Sequence, residues 1–354
     1  MKMHLAVKKV HCPRHDFAFT NPYQATGPRH DSTFYKPYHE TRRLKVIQKL
    51  VGHTDTVTFI AFSPDSRRLL SGSVDGKIFI WETDRQDQLL LVRKIVGKIM
   101  GSRSFAFSPD GQWLAFSGLS TLTIWKVDIS GELQQIQMLQ TYRSSENPVT
   151  FSPDSRRLAL GGEGAITIWE ENGHDELQQV QQLPRFSSTA SLAFSPDGRL
   201  LASGSSDNTI HLWETDEYGK LQRIQTLQCD GSYIHSMAFS PDSQRMASCG
   251  WNKTIHIWEP NGHGGLQQVQ KLEGSAIFKC VAFSPDGRLA SQSEWGEVCI
   301  WGTNGQGQLE KVQELKGRTS RASAIAFSSD GQRLASASAD KTITVWGMNG
   351  EIND

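Results

Sequence analysis

A period of about 44 residues constrains this chain more than any other feature. The phrase Phe-Ser-x-Asp begins at Phe62, Phe107, Phe151, Phe194, Phe239, Phe283 and Phe327. A tryptophan closing an alternating apolar run recurs at Trp81, Trp125, Trp169, Trp213, Trp258, Trp301 and Trp346, in steps of 44, 44, 44, 45, 43 and 45 residues. Such regularity means one supersecondary unit built seven times, each copy burying its apolar face against the next.

Each unit reads as four short strands. In the first copy, VTFIAFS (57–63) has the alternating or continuous apolar character of a buried strand, and SPDS makes a tight turn with Pro64 presetting φ. RRLLSGS (67–73) returns, VDG turns again, and KIFIW (77–81) is the third strand. A polar connector leads to the fourth, DQLLLVRKI (87–95). The seventh copy has Ser329 where its siblings carry proline, which keeps the turn but loses some preorganisation.

The fourth strand is offset in an informative way. LLLVRKI, LQQIQML, LQQVQQL, LQRIQTL, LQQVQKL and LEKVQEL each follow one of the first six tryptophans, but only GMNGEIND follows Trp346. The missing copy, LKVIQKL (44–50), stands before the first unit. A closed ring accounts for this, because the amino-terminal strand then completes the last sheet and removes an open edge.

These residues resemble the WD-repeat β-propeller family over about residues 43–350. Gly52-His53, Asp75 and Trp81 match the family's Gly-His, turn Asp and Trp, and Ser71 is the hydroxyl of its His–Ser–Asp–Trp hydrogen-bond set. Later copies depart: no tryptophan is followed by Asp, the Gly-His pair keeps its place before the first strand only at Gly52-His53, and the turn Asp persists only at Asp75, Asp207 and Asp340. The resemblance implies an all-β, seven-bladed β-propeller of four-stranded antiparallel blades, closed by residues 44–50. The seven tryptophans are then structural, each burying roughly 150–250 Å². His211 and His256, two before their tryptophans, read as packed strand histidines.

Residues 1–42 differ: four prolines, five of the eleven histidines and six aromatics without periodicity. They read as a mostly irregular arm, extended in part against the propeller, with residues 351–354 as a tail. Cys12, His15, His30 and His39 have a spacing that matches no common zinc pattern, so no metal is expected. Residues 1–43 hold eight Lys/Arg against three Asp/Glu, which leaves the remainder near −5 and ill suited to wrapping phosphate backbones. Five cysteines without a CxxC pair, and no apolar stretch of membrane length, suggest a reducing compartment, cytoplasm or nucleus. Cys280 and Cys299 then read as small core residues.

No catalytic or cofactor motif emerges. Gly72 to Lys77 is one residue short of a phosphate loop and lies at a strand turn, and GxSxG and HExxH are absent. Most repeated acids sit in the Phe-Ser-x-Asp turns, where sevenfold recurrence argues for turn formation. Recognition is therefore sought where copies differ. With strands running inner to outer, the second-to-third-strand turns and the loops entering the first strands share one face, the face on which the resembled family often binds partners. Counting seven back from each tryptophan gives Val74, Gly118, Gly162, Ser206, Trp251, Glu294 and Ala339. Counting back from the Phe anchors adds Tyr233 and His235 in blade five, Lys279 in blade six and Arg321 in blade seven.

The large and charged entries thus gather in blades five to seven: Tyr233, His235, Trp251, Lys279, Glu294, Trp295 and Arg321. They suggest a patch for a protein or peptide; the alternative is that Trp251 and Trp295 fold down into gaps left by absent His residues. The expectation is a monomeric, non-catalytic interaction scaffold or substrate-recruiting module that needs no cofactor and binds neither specific nucleic acid nor membrane. A sensor module working with a separate NTPase or adaptor domain is the alternative. A propeller hydrolase or lyase fits less well, because the channel-proximal positions are mostly Thr, Ser, Asn and Ala.

Overall fold

The computed structural model describes residues 43–96, 104–118, 120–127, 132–141, 147–163, 165–184, 187–231, 233–315 and 321–348. The amino-terminal arm with its Cys12/His15/His30/His39 set, and the tail, lie outside them. The described chain is all-β: seven sheets, each of four antiparallel strands. In six sheets the strands follow chain order, as in blade one: Val57–Phe62, Arg68–Ser73, Lys77–Thr83 and Leu89–Val96. In the seventh, Ala322–Phe327, Arg333–Ser338 and Thr342–Met348 are completed by Leu44–Val51, with Leu44 opposite Met348 and Val51 opposite Thr342. First strands of successive blades pack against one another around a closed circuit that returns from blade seven to blade one. The first strand is therefore the inner one and the fourth the outer one.

The core is divided among the junctions between blades. Trp213 packs with Ala159, Ile166, Ile168 and Leu183 of blade three, and Trp346 with Ala290, Val298 and Ile300 of blade six. Leu50, Val57, Trp81 and Ile343 fill the closing junction of blades seven and one. Burying a whole apolar side chain is worth about 1.5–3 kcal/mol, so every junction contributes and none dominates.

The tryptophans are fixed by serines on the second strand. The indole Nε1 of Trp81, Trp213, Trp258 and Trp301 donates to Ser71, Ser203, Ser248 and Ser291 at 2.8–2.9 Å. Blades two and three differ because their second-to-third-strand hairpins are one residue shorter. Trp81 pairs with Leu69, twelve residues back, whereas Trp125 pairs with Leu114 and Trp169 with Leu158, eleven back. By pairing, Phe116 and Leu160 stand where Ser71 stands in blade one, each being two residues beyond the tryptophan's partner. Trp125 Nε1 is buried without a partner, and Trp169 Nε1 turns to Thr167 Oγ1 at 3.0 Å. Counting back from the tryptophan thus slips by one in these blades, and Gly118 and Gly162 are not the counterparts of Val74.

Each Phe-Ser-x-Asp turn is closed by its own side chains. Ser63 Oγ donates to Asp65 Oδ1 at 2.5 Å, and Arg68 N donates back to Ser63 Oγ at 2.9 Å. The seventh turn, lacking proline, keeps the pattern through Ser328 and Asp330. The residue after the Asp has positive φ: Gly in four blades, but Ser66, Ser155 and Ser243 at 58–61° in the others. A β-carbon is strained there. The three serines offset that strain by accepting, through Oγ, the N–H of Asp330, Asp110 and Asp197 of the preceding blade at 3.0 Å.

The outer strands share a second device. A bulge at Ile47, Val92, Ile136, Val180, Ile224, Val269 and Val312 shifts the pairing beside the tryptophan. The glutamine that follows six of these bulges reaches the next blade. Gln48 Nε2 donates to Leu89 O at 2.9 Å while its Oε1 accepts Leu89 N at 2.9 Å. Gln313 clasps Leu44 in the same way, at 2.8 and 3.0 Å, and so links the last complete outer strand to the first.

Candidate interaction face

Backbone hydrogen bonds put the turn between second and third strands beside the loop entering the first strand. The N–H groups of Val74, Ser206, Trp251, Glu294 and Ala339 donate to the carbonyls of Thr56, Ser188, Tyr233, Ile277 and Arg321 at 2.8–3.2 Å. The seven residues singled out from the sequence therefore occupy one face in blades five, six and seven, and the Phe-Ser-x-Asp turns lie at the other end of the strands. Four of the seven form a contiguous cluster. Trp251 lies 5.8 Å from Tyr233 at 28°, and 6.0 Å from His235 at 45°, between ring centroids. Tyr233 and His235 are 4.8 Å apart. Lys279 Nζ sits 5.7 Å from the centre of the Trp251 ring and donates to His235 Nε2 at 2.9 Å.

The cluster spans a blade junction because of strand register. His235 and Lys279 each occupy the second position of the first strands Ile234–Phe239 and Phe278–Phe283. Tyr233 has φ of 54°, the one aromatic residue among the described residues with positive φ. Its N–H is held by Asn208 Oδ1 of blade four at 3.0 Å. A bulky residue in the left-handed region costs roughly 1–3 kcal/mol and persists where its surroundings impose it. Asn208 and the bond from Lys279 to His235 were not visible in the repeat alignment. Only the shared strand position of His235 and Lys279 hinted at their pairing.

Trp251 is 57% exposed and Trp295 61%, so neither ring is folded into a gap. Among the described residues no aromatic ring stacks on Trp295, and the side chains of Glu294 and Arg321 share the face without joining the cluster. His211 and His256 are buried strand histidines, bonded through Nδ1 to Thr226 Oγ1 at 3.0 Å and Gln268 Oε1 at 2.6 Å.

Burial, aided by the Lys279 ammonium, pushes the His235 imidazole down to about 4. His235 is thus neutral at pH 7 and accepts from Lys279 through Nε2. In the unfolded chain a histidine titrates near 6.5. Between about 6.5 and 4 the unfolded state binds more protons, so the stability tied to neutral His235 is full above 6.5 and is lost as pH falls toward 4. His235→Gln is expected to flatten part of the acid-induced fall in urea midpoint across this window; an unchanged pH profile would contradict the assignment.

Blade one brings together all four residues of the set inferred from the sequence, but the His53–Asp75 hydrogen bond is not formed. Ser71 Oγ meets both His53 Nε2 and Trp81 Nε1 at 2.9 Å, and His53 stacks on Phe79 at 3.9 Å. His53 Nδ1 is 3.5 Å from Asp75 Oδ2, beyond a good hydrogen bond, because that oxygen already accepts Thr54 N at 2.8 Å and Thr54 Oγ1 at 3.0 Å. Burial holds the His53 imidazole below its usual range against the pull of Asp75. The set acts as a structural brace.

Among the described residues no group of three or more His, Cys, Asp or Glu is arranged to hold a metal ion. Cys229, Cys249 and Cys299 are buried free thiols. Cys280, read above as core, is only partly buried on an inner strand and donates to Ser323 O at 3.4 Å. Burial pushes the Cys229, Cys280 and Cys299 thiols up to about 12, so they are not thiolate nucleophiles at neutral pH.

Seven four-stranded antiparallel blades, the last completed by the amino-terminal strand, define a repeat β-propeller. The family model for the WD domain, G-beta repeat, matches residues 44–82, 178–214, 221–259, 266–302 and 309–347, over half of the chain, and the protein belongs to the WD40 family. The unmatched stretch between residues 82 and 178 holds blades two and three apart from the last outer strand, the two blades with the shortened hairpin and no serine for the tryptophan. WD40 propellers generally mediate protein–protein interactions and are typically non-catalytic.

Proposed function

We propose that this chain is a non-catalytic scaffold or substrate-recruiting module that binds a protein or peptide on the face of the second-to-third-strand turns. The observation that carries this reading is the exposure of Trp251 and Trp295, two tryptophans without counterparts in the other copies, at 57% and 61%. Large exposed aromatics on adjacent turns are costly in water and anchor interfaces when covered. The Tyr233 backbone, the Tyr233–His235–Trp251 stacking and the Lys279 bond hold part of this surface in place before binding, which lowers the ordering cost of association. A protein partner in the cytoplasm or nucleus fits better than nucleic acid, because the repeat region is mildly acidic.

The test is affinity capture from native lysate with wild type and the Trp251→Ser/Trp295→Ser double variant. Loss of specific partners at unchanged melting temperature is expected, since both rings are exposed. A lowered melting temperature with unchanged capture would assign the tryptophans to the fold and overturn the reading.

A further inference from the structure

We propose that Lys279 is a carboxylate receptor. It takes an Asp or Glu side chain of an acidic partner peptide while Trp251 covers the apolar residue beside that acid. This rests on the reading of the face as a peptide-binding surface and adds the chemistry of the partner.

The argument begins with equivalent positions. Four residues before the Phe anchors stand Thr58, Asn147, Ala190, His235, Lys279 and Ser323 among the described residues, all on first strands except Asn147, which precedes its strand. The neutral donors of this ring turn onto backbone carbonyls: Thr58 to Gly72 O, Asn147 to Gly118 O and Ser323 to Val57 O. Their hydrogen-bonding capacity is spent within the fold. Lys279 is different. The residue is half-buried, and its ammonium donates to the neutral His235 and lies over the Trp251 ring.

Among the described residues no carboxylate lies within ion-pairing distance of Lys279. Glu294 is close along the backbone, its N–H bonded to Ile277 O two residues before Lys279, yet its side chain does not pair with the ammonium. Elsewhere the basic side chains of this fold do find acids. Arg157 pairs with Glu170 at 2.7 Å, Arg245 with Glu259 at 2.9 Å and Arg333 with Asp87 at 2.7 Å. An ammonium on a half-buried lysine without a counter-ion among the described residues favours an incoming anion, and charge-assisted hydrogen bonds are the strong ones.

The anion's type follows from the receptor. One ammonium beside a neutral imidazole balances a single negative charge, which suits a carboxylate. A phosphoryl dianion calls for several donors, commonly the paired forks of arginines. The exposed Trp251 ring adjoining Lys279 offers an apolar surface at the distance of a neighbouring side chain, so an acid flanked by an aliphatic or aromatic residue is the fitting ligand.

The full chain, immobilised, is panned against a displayed random peptide library, alongside Lys279→Gln, Lys279→Glu and Trp251→Ser. Wild type is expected to enrich Asp or Glu next to apolar residues, and Lys279→Glu to replace them with Lys or Arg. By fluorescence anisotropy, the enriched peptides should bind Lys279→Gln about tenfold or more weakly than wild type. Changing the peptide's own Asp to Asn or Glu to Gln should produce a similar loss on unaltered protein, which keeps the test valid if a Lys279 variant folds poorly. Peptides that need Trp251 but bind equally well without their carboxylate would overturn the receptor and leave the binding face standing. Peptides indifferent to both Trp251 and Lys279, or no enrichment at all, would overturn both.

Discussion

Deleting residues 1–51 is expected to open the ring, whereas deleting residues 1–41 leaves it closed. The longer deletion removes Leu44–Val51, the outer strand of blade seven, with its whole ladder to Thr342–Met348. Leu44, 2% exposed, packs with Trp346 and Leu334 of blade seven and Ala290 of blade six. Leu50, 3% exposed, packs with Trp81 and Phe79 of blade one. Two buried leucines are worth about 1.5–3 kcal/mol each, and the ladder with the Gln48 and Gln313 clasps adds about 0.5–1.5 kcal/mol per hydrogen bond. The combined loss is on the order of 5 kcal/mol or more, comparable with the whole stability of an ordinary domain. The exposed edge of Thr342–Met348 would also be free to pair with other chains. Thermal unfolding followed by circular dichroism, with size-exclusion chromatography, should show the shorter deletion matching the full chain and the longer one unfolded or aggregated. Equal melting temperatures for the two deletions would refute closure by this strand.

That closure was legible because LKVIQKL, a displaced copy of the fourth strand, is a covalent record of ring geometry. A strand found before the first unit and missing after the last has one economical place to go. The seven tryptophans were legible for a similar reason: identical surroundings give identical roles. Hydrogen bonds between copies were less visible. Nothing in SPDS against SPDG announces that Ser66, Ser155 and Ser243 adopt positive φ and bond the preceding blade, because the reward lies 45 or more residues away in sequence. The shortened hairpins of blades two and three were concealed by the constant tryptophan spacing, since a deletion in one loop is balanced by extra length elsewhere in the unit.

The candidate site divides along the same line. Departures from the repeat located Trp251, Trp295, Lys279 and Tyr233, because a residue not imposed by the common fold stands out against six siblings. What they touch depended on the junction between blades. His235 and Lys279 are 44 residues apart and meet only because neighbouring first strands run side by side. Glu294, Trp295 and Arg321 share the face but join no such cluster, so alignment found the surface more readily than its wiring.

Trp213→Ala is expected to cost about 3–5 kcal/mol. Trp213 is 1% exposed and packs with Ile166, Ile168 and Leu183 of blade three as well as Leu192, Leu201 and Leu221 of its own blade. The cavity would open between two sheets whose backbones are each fixed by their own ladders, so collapse around it is limited. Blade three is also poorly placed to compensate, because Leu160 stands where a serine would fix its tryptophan and Trp169 depends on Thr167. The indole N–H matters separately, through its 2.9 Å bond to Ser203. Trp213→Phe keeps much of the bulk and removes that donor, leaving the buried Ser203 hydroxyl with one partner fewer, and should cost about 1–3 kcal/mol. Urea unfolding of the two variants separates volume from hydrogen bonding. A loss for Trp213→Ala no larger than for Trp213→Phe would mean that the junction collapses onto the missing ring, and the blades would then be held mainly by their edge clasps and turn serines rather than by the buried tryptophans.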